Sequence, residues 1–472
     1  MKYYIILTFA FFISCINNPT NDEIKLNFEK GNFKIAKKMI DEYSFNPDID
    51  STLFKEYIYL SEIMSRVKID FSKDKKDVIK HISQYYNIVS DSMINDWEER
   101  GKLEYKIIDG DKKYFNRAAT NLFLIDDEAK KQKEKIIGKS TGGVTKFKQH
   151  YVSKLLSEDI DKKTSIDKRT IKINYSISLD ANAIPEGEIV KCWIPYPRIN
   201  DMRLSNIELI SASEDNYIIA PKEQIQRSIY IEKRAVRDSA TIFNIVYSAD
   251  FAGVWFDIKP EDILEYNKTS ALYKNYTSEI APHIKFSDRI KSLAREIVGN
   301  EENPVKQVEL IYYWMNDNIT WSGALEYSIM PNIPKYVLDN MRGDCGMQTL
   351  LFMSLARSLG IPTKWQSGWY LLPEEINLHD WAEVYYEGVG WVPVDPSFKL
   401  TDSKDKKVKD FYINGMDSYR LIINDGYSQE FHPKKEFFRS EPIDFQRGEL
   451  EWRGGNLYFD KWSYYMDITY ID

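Results

Sequence analysis

Between residues 342 and 397 the apolar period of the chain switches once, and that switch limits what it can fold into. Met347, Leu351, Leu355 and Leu359 recur at helical spacing, and Gly360 with Pro362 ends the run. Asp344 stands where an N-cap is expected, which puts Cys345 in the first turn. The later stretch HDWAEVYYEGVGWVPVDPS alternates with period two, so His379, Trp381, Glu383 and Tyr385 share one strand face and Gly388 and Gly390 make a turn. A helix of this kind followed by a hairpin predicts the α+β class.

The remaining text divides by the same criterion. Residues 23–165 are charged and mainly of helical period, interrupted by two short strand-like runs around Asp109-Gly110, a strong hairpin signal. Residues 166–258 change to period two: Ile171, Ile173, Tyr175, Ile177 and Leu179 share a face, and Ile242, Asn244 and Val246 alternate in a second run. Short strands at this spacing predict an antiparallel β-sandwich. Helices return in residues 259–400, where Asn303-Pro304 reads as a cap followed by the first helical residue. Residues 401–472 hold further strand-like runs, expected as an extension packed on the preceding unit.

The first 15 residues read as a targeting segment. Lys2 precedes an apolar run from Tyr3 to Ile13, and Ser14-Cys15 closes it. A small residue before cysteine at this place resembles the lipobox of bacterial lipoproteins, with residues 16–22 as a tether. The expectation is a chain lipid-anchored through Cys15 on the periplasmic or cell-surface face of a Gram-negative envelope; ordinary secretion with Cys15 discarded is the alternative. A net charge of −8 over 472 residues argues against a general nucleic-acid binder.

Beyond Cys15 only Cys192 and Cys345 remain, which excludes a disulfide framework. Cys192 alternates with Val190 and Ile194 in a strand-like run, as a small buried hydrophobe does. Cys345 is left for chemistry. At a helix start its thiol would be drawn toward the thiolate by unpaired N–H groups and the helix dipole, and its own N–H would face an oxyanion. His379 lies 34 residues on and Asp395 a further 16. With a three-residue loop at 387–389, Asp395 falls opposite Trp381 and diagonal to His379; a two-residue loop would turn it to the other face. Nucleophile, base and orienter would then be Cys345, His379 and Asp395. Trp321, Trp365, Trp369 and Tyr370 surround the motif, as core packing or as the lining of a cleft. Five scattered histidines and so few cysteines offer no metal constellation, so neither metal nor cofactor is expected.

GDCGMQTLLFMSLARSLGIPTKWQSGWY followed by HDWAEVYYEGVGWVPVDPS resembles the transglutaminase-like core, a relative of the papain-type cysteine peptidase fold. The resemblance implies a cysteine-bearing helix packed on an antiparallel sheet, with histidine and aspartate on adjacent strands. It carries over to Cys345, His379 and Asp395. Asp380 departs from the common pattern, in which small or apolar residues are frequent, and is expected to modulate the base. The implied activity is acyl transfer through a Cys345 thioester. Water as acceptor would make a peptidase or amidase acting on a peptide, protein or glycopeptide, and a lysine amine would make a transglutaminase. A non-catalytic binding or assembly module that kept the fold is the third reading.

Overall fold

The computed structural model describes residues 21–44, 50–139, 142–157, 166–200 and 202–471. The leader and lipobox expected at residues 1–15, with tether residues 16–20, lie outside the described residues; residues 21 and 22 open the helix Asn21–Glu29. By internal contacts the chain forms two units, residues 1–79 with 104–116, and residues 80–103 with 117–472.

In the first unit, helices Asn21–Glu29, Phe33–Ser44 and Ser51–Asp70 accompany the hairpin Tyr105–Ile108/Asp111–Tyr114. Asp109 and Gly110 both take positive φ (53° and 90°), the primed turn that a DG pair favours. Gly31 is required, since a Cβ there would lie 2.1 Å from the Ile107 carbonyl oxygen.

Among the described residues, the second unit holds three antiparallel sheets. In the first, Ile166–Leu179 pairs with Thr241–Trp255 on one side and with Trp462–Ile471 on the other. Leu204–Ala212 and Gly415–Met416 also pair with Thr241–Trp255. The second runs Gly455–Leu457, Glu449–Trp452, Ile189–Pro195, Ser228–Arg234, Tyr217–Ile219. Gly448 sits where the two approach, its missing Cβ facing Ile177 of one and Trp193 of the other. Ile171, Ile173, Tyr175, Ile177 and Leu179 are buried together, and Cys192 is buried in the second sheet. In Thr241–Trp255 the buried face is Phe243, Ile245 and Tyr247, while Ile242 points outward; the polar Asn244 marks that face as the wetter one.

The third sheet, in the order Gly390–Val394, Glu375–Tyr386, Thr363–Leu372, Arg420–Asn424, carries His379. Of the strands after residue 401, Arg420–Asn424 joins this sheet, whereas Glu449–Trp452, Gly455–Leu457 and Trp462–Ile471 complete the sandwich sheets. Alternation gives a strand its period and faces but not its partner.

The helix Cys345–Ser358 is the centre of the unit. The sequence pattern predicts one apolar face, yet every residue from Gly346 to Arg357 is buried. Helices Asp288–Val298, Pro304–Asn318 and Ile333–Asn340 cover one side, and strands Thr363–Leu372 and Glu375–Tyr386 the other. Most of its polar side-chain atoms bond locally: Gln348 Nε2 donates to Gly343 O (2.9 Å), Thr349 Oγ1 to Cys345 O and Ser354 Oγ to Leu350 O (each 2.8 Å), and Arg357 to the Thr363 carbonyl, while Gln348 Oε1 is buried with no partner. Asn303 caps the helix Pro304–Asn318 by accepting from Val305 and Lys306 N–H, as the Asn-Pro pair predicts.

The approach to Cys345 is braced from the helical part of the same unit. Asn121, on the helix Ala118–Ile125, exchanges two hydrogen bonds of 2.9 Å with the backbone of Gly323. Arg342 Nη1 donates to Gly101 O at 2.7 Å. Between them, Thr320–Trp321 pairs in parallel with Arg342–Gly343, which sets Trp321 level with Gly343.

Candidate functional site

Asp344 is the N-cap the sequence predicts. In extended conformation, its Oδ1 accepts from Met347 N–H at 3.1 Å and from the Tyr327 hydroxyl at 2.6 Å. The cap fixes Cys345 as the first residue of the helix, where it is partly exposed.

His379 and Asp395 come from adjacent strands. Ala382 pairs with Val394 and Tyr386 with Gly390, so the loop is Glu387 to Val389 and the register continues to put Asp395 level with Trp381. This is the three-residue alternative, the one that keeps Asp395 on the His379 face. Gly388 and Gly390 both adopt positive φ there (87° and 102°), which L side chains rarely do. His379 Nε2 lies 2.6 Å from Asp395 Oδ2.

The Asp395 carboxylate is fully buried and fully used. Oδ2 also accepts from Arg420 Nη1 at 2.8 Å, and Oδ1 accepts from Ser397 Oγ and from the N–H groups of Ser397 and Phe398. Burial raises its pKa, but the charges of His379 and Arg420 and these hydrogen bonds outweigh it, so the group is held well below the usual carboxylate range. Arg420 is anchored in turn by Asp417 (Nε to Oδ2, 3.0 Å) and lies 4.0 Å above the Phe398 ring. An ionised Asp395 fixes the His379 proton on Nε2 and leaves Nδ1 as the basic nitrogen. Burial, opposed by Asp395, lowers the His379 pKa below its ordinary value, so the ring is a neutral base at neutral pH.

The surroundings of Cys345 correct one expectation. The helix start was expected to draw the thiol toward thiolate, a dipole effect of about 0.3–1 kcal/mol and up to ~2. Burial of an ionisable group shifts its pKa by up to ~3–5 units, a larger effect. Here burial, then the neighbouring Asp380 and Asp344 carboxyls, push the Cys345 thiol well above its ordinary value. Its hydrogen-bond partner is Asp380, with Sγ 3.3 Å from Oδ2. The Asp380 carboxylate, expected from the sequence to modulate the base, meets the Cys345 sulfur.

Asp380 Oδ1 accepts from Gln446 Nε2 at 2.8 Å, and the same amide donates to the His379 carbonyl at 2.9 Å. The Tyr370 ring stands edge-on to His379, centroids 5.3 Å apart. The structure therefore joins His379 to Asp395 directly and brings Asp380 onto Cys345. Trp365 and Trp369 are core residues, whereas Trp321 is 45% exposed beside the Cys345 approach. Arg420 and Gln446 carry no signal in the sequence near the motif. They reach the site only through the pairing of the Arg420 strand and the path of the loop after it.

Residues 291–396 match the family model described as the transglutaminase-like superfamily. An uncharacterized protein of Haemophilus influenzae is 28% identical over 263 residues, which cover 48% of this chain and 70% of that relative. A solved structure named as a candidate cysteine protease, from Cytophaga hutchinsonii, aligns at TM-score 0.44 and 13% identity over 65% of this chain and 92% of its own. The periplasmic domain of TgpA from Pseudomonas aeruginosa aligns at TM-score 0.25 and 12% identity, over 50% of this chain and 89% of its own. Taken with the cysteine-bearing helix on its antiparallel sheet, the match identifies residues 291–396 as a domain of the transglutaminase-like superfamily.

Proposed function

We propose that the chain is a cysteine-dependent hydrolase that cleaves a peptide or amide bond through a Cys345 thioester. The observation that carries this reading is the His379–Asp395 pair, 2.6 Å apart, on strands packed against the helix that Cys345 opens. His379 Nδ1 takes the thiol proton as Sγ bonds to the substrate carbonyl carbon. The Cys345 N–H, at a helix start with no intrahelical partner, faces the developing oxyanion. The C–N bond then breaks, and the amine leaves with the proton from His379. Water attacks the thioester with His379 again as base, releasing the acid and restoring the thiol.

Incubation of the purified chain with peptides extracted from a bacterial envelope, followed by acid quenching and mass spectrometry, tests the reading. An acyl adduct on Cys345, absent from Cys345→Ala, supports it. Absence of both adduct and cleaved peptide overturns it. A labelled primary amine incorporated into protein would instead identify amine transfer.

The same reading places the protein in the cell envelope, tethered by lipid on Cys15. Incorporation of a labelled fatty acid into the expressed chain, lost in Cys15→Ser, is the expected result; equal labelling of both removes the anchor.

A further inference from the structure

Among the described residues Asp380 is the polar partner of the Cys345 sulfur, and both of its carboxylate oxygens are engaged. Its backbone continues the strand that carries His379, its Oδ1 is held by Gln446, and its Oδ2 faces Sγ. Gly346, next to Cys345, leaves the room this needs, since a Cβ there would lie 2.6 Å from Asp380 Oδ2 and 2.2 Å from the Tyr327 hydroxyl. The charged and titratable groups around it are Cys345 and Asp344 from the helix start, Tyr327 bonded to Asp344, and Asp444, Glu441 and Arg447 from the 431–448 loop. Arg447 is engaged by Glu441 and Glu326, so its charge is shared with other carboxylates.

We propose that Asp380 and Cys345 hold a single proton between Oδ2 and Sγ, so that the nucleophile ionises by internal transfer to Asp380, and that in turnover His379 takes this proton from the pair as Sγ attacks and delivers it to the leaving amine. At rest, the Sγ–H bond donates to the Asp380 carboxylate. Movement of that one proton to Oδ2 breaks S–H, forms O–H, and gives a thiolate beside a neutral carboxylic acid. The pair carries one negative charge before and after, so no new charge is created in a buried place where creating one is costly. Burial and the neighbouring Asp444 and Asp344 also hold the Asp380 carboxyl far above its ordinary range, so it retains a proton more strongly than an ordinary carboxyl does. The two protons of such a pair leave in two steps that belong to the pair. This proposal deepens the reading of Cys345 as nucleophile and rests on it.

The test is the pH dependence of iodoacetamide alkylation of Cys345, followed by mass spectrometry of its peptide, in the full chain and in Asp380→Asn and His379→Asn. The expected wild-type rate rises in two steps separated by a plateau. Asp380→Asn is expected to lose the lower step and to react about tenfold more slowly on the plateau, equivalent to a shift of about one pH unit. His379→Asn is expected to keep both steps. A single-step wild-type profile, or two steps retained in Asp380→Asn, overturns the proposal.

Should Asp380→Asn not fold, infrared spectroscopy of the unaltered chain decides. Alkylation forms the S–C bond, expels iodide and leaves the shared proton on Asp380, so a carboxylic acid C=O band must appear; no carboxyl change overturns the proposal. Acyl trapping separates the two readings. A chain that traps acyl groups but keeps both steps in Asp380→Asn is a hydrolase without this device. One that loses the lower step yet traps no acyl group has the device without the proposed activity.

Discussion

Arg420 and His379 bond to the same oxygen of Asp395, at 2.8 and 2.6 Å, so one buried carboxylate is shared between a permanent cation and an imidazole. The arrangement separates two duties. Arg420 keeps Asp395 ionised whatever the state of the ring, and Asp395 then orients His379.

Asp395→Asn keeps the size of the side chain but removes the charge that fixes the Nε2 proton. Acylation of Cys345 is expected to fall by about 10³–10⁴-fold, as loss of the correct histidine tautomer does elsewhere. Arg420→Met acts differently: it strands the buried Asp395 and Asp417 charges and is expected to cost about 3–5 kcal/mol. Burst kinetics would read the first, and urea unfolding the second.

Gly346→Ala sets helix propensity against space. Alanine in a helix interior favours the fold by about 1 kcal/mol over glycine. Its Cβ would lie 2.2 Å from the Tyr327 hydroxyl and 2.6 Å from Asp380 Oδ2, and neither residue is free to retreat from its hydrogen bonds. Overpacking at about 1–3 kcal/mol outweighs the gain. Thermal unfolding should show a lower midpoint, and Cys345 alkylation a changed pH profile.

Burial lifts the Asp344 carboxyl to about 6. Its value in the unfolded chain is about 3.9, so between these limits the folded state binds the extra proton and stability falls as pH rises. Asp344→Asn retains an oxygen for the cap and the Tyr327 bond but cannot ionise. It is expected to match the parent below about pH 4 and to exceed it by roughly 1–3 kcal/mol above about pH 6. Denaturant midpoints across this range provide the measurement; parallel curves would contradict it.

Leu351 is fully buried in the helix Cys345–Ser358, which is itself flanked by three helices and the His379 sheet. Leu351→Ala should destabilise the second unit by about 2–5 kcal/mol, because a helix covered on all sides collapses poorly around a cavity. Calorimetry is the check.

Local chemistry made much of this legible in the sequence. The Asp344 cap, the Gly360 stop and the glycines at 388 and 390 each act within a few residues, and from them follow the position of Cys345 and the register of Asp395. The face Ile171 to Leu179 was readable for the same reason. Partners distant in sequence were not. Nothing near residue 379 announces Arg420 or Gln446, and the strands after residue 449 alternate equally well whichever sheet receives them. The raised thiol of Cys345 was hidden because it depends first on how deeply the fold buries one sulfur and then on the Asp380 and Asp344 carboxyls set beside it.

The strand Trp462–Ile471 lies along Ile166–Leu179, the strand that opens the sandwich. During synthesis, Cys345, His379 and Asp395 all leave the ribosome while that strand has Thr241–Trp255 on one side only and Gln446 has yet to be made. Closing so long a loop is slow. The order of translation thus has a structural consequence: a chain halted before residue 446 would already hold Cys345, His379 and Asp395 but would lack the one amide that ties Asp380 Oδ1 to the His379 carbonyl.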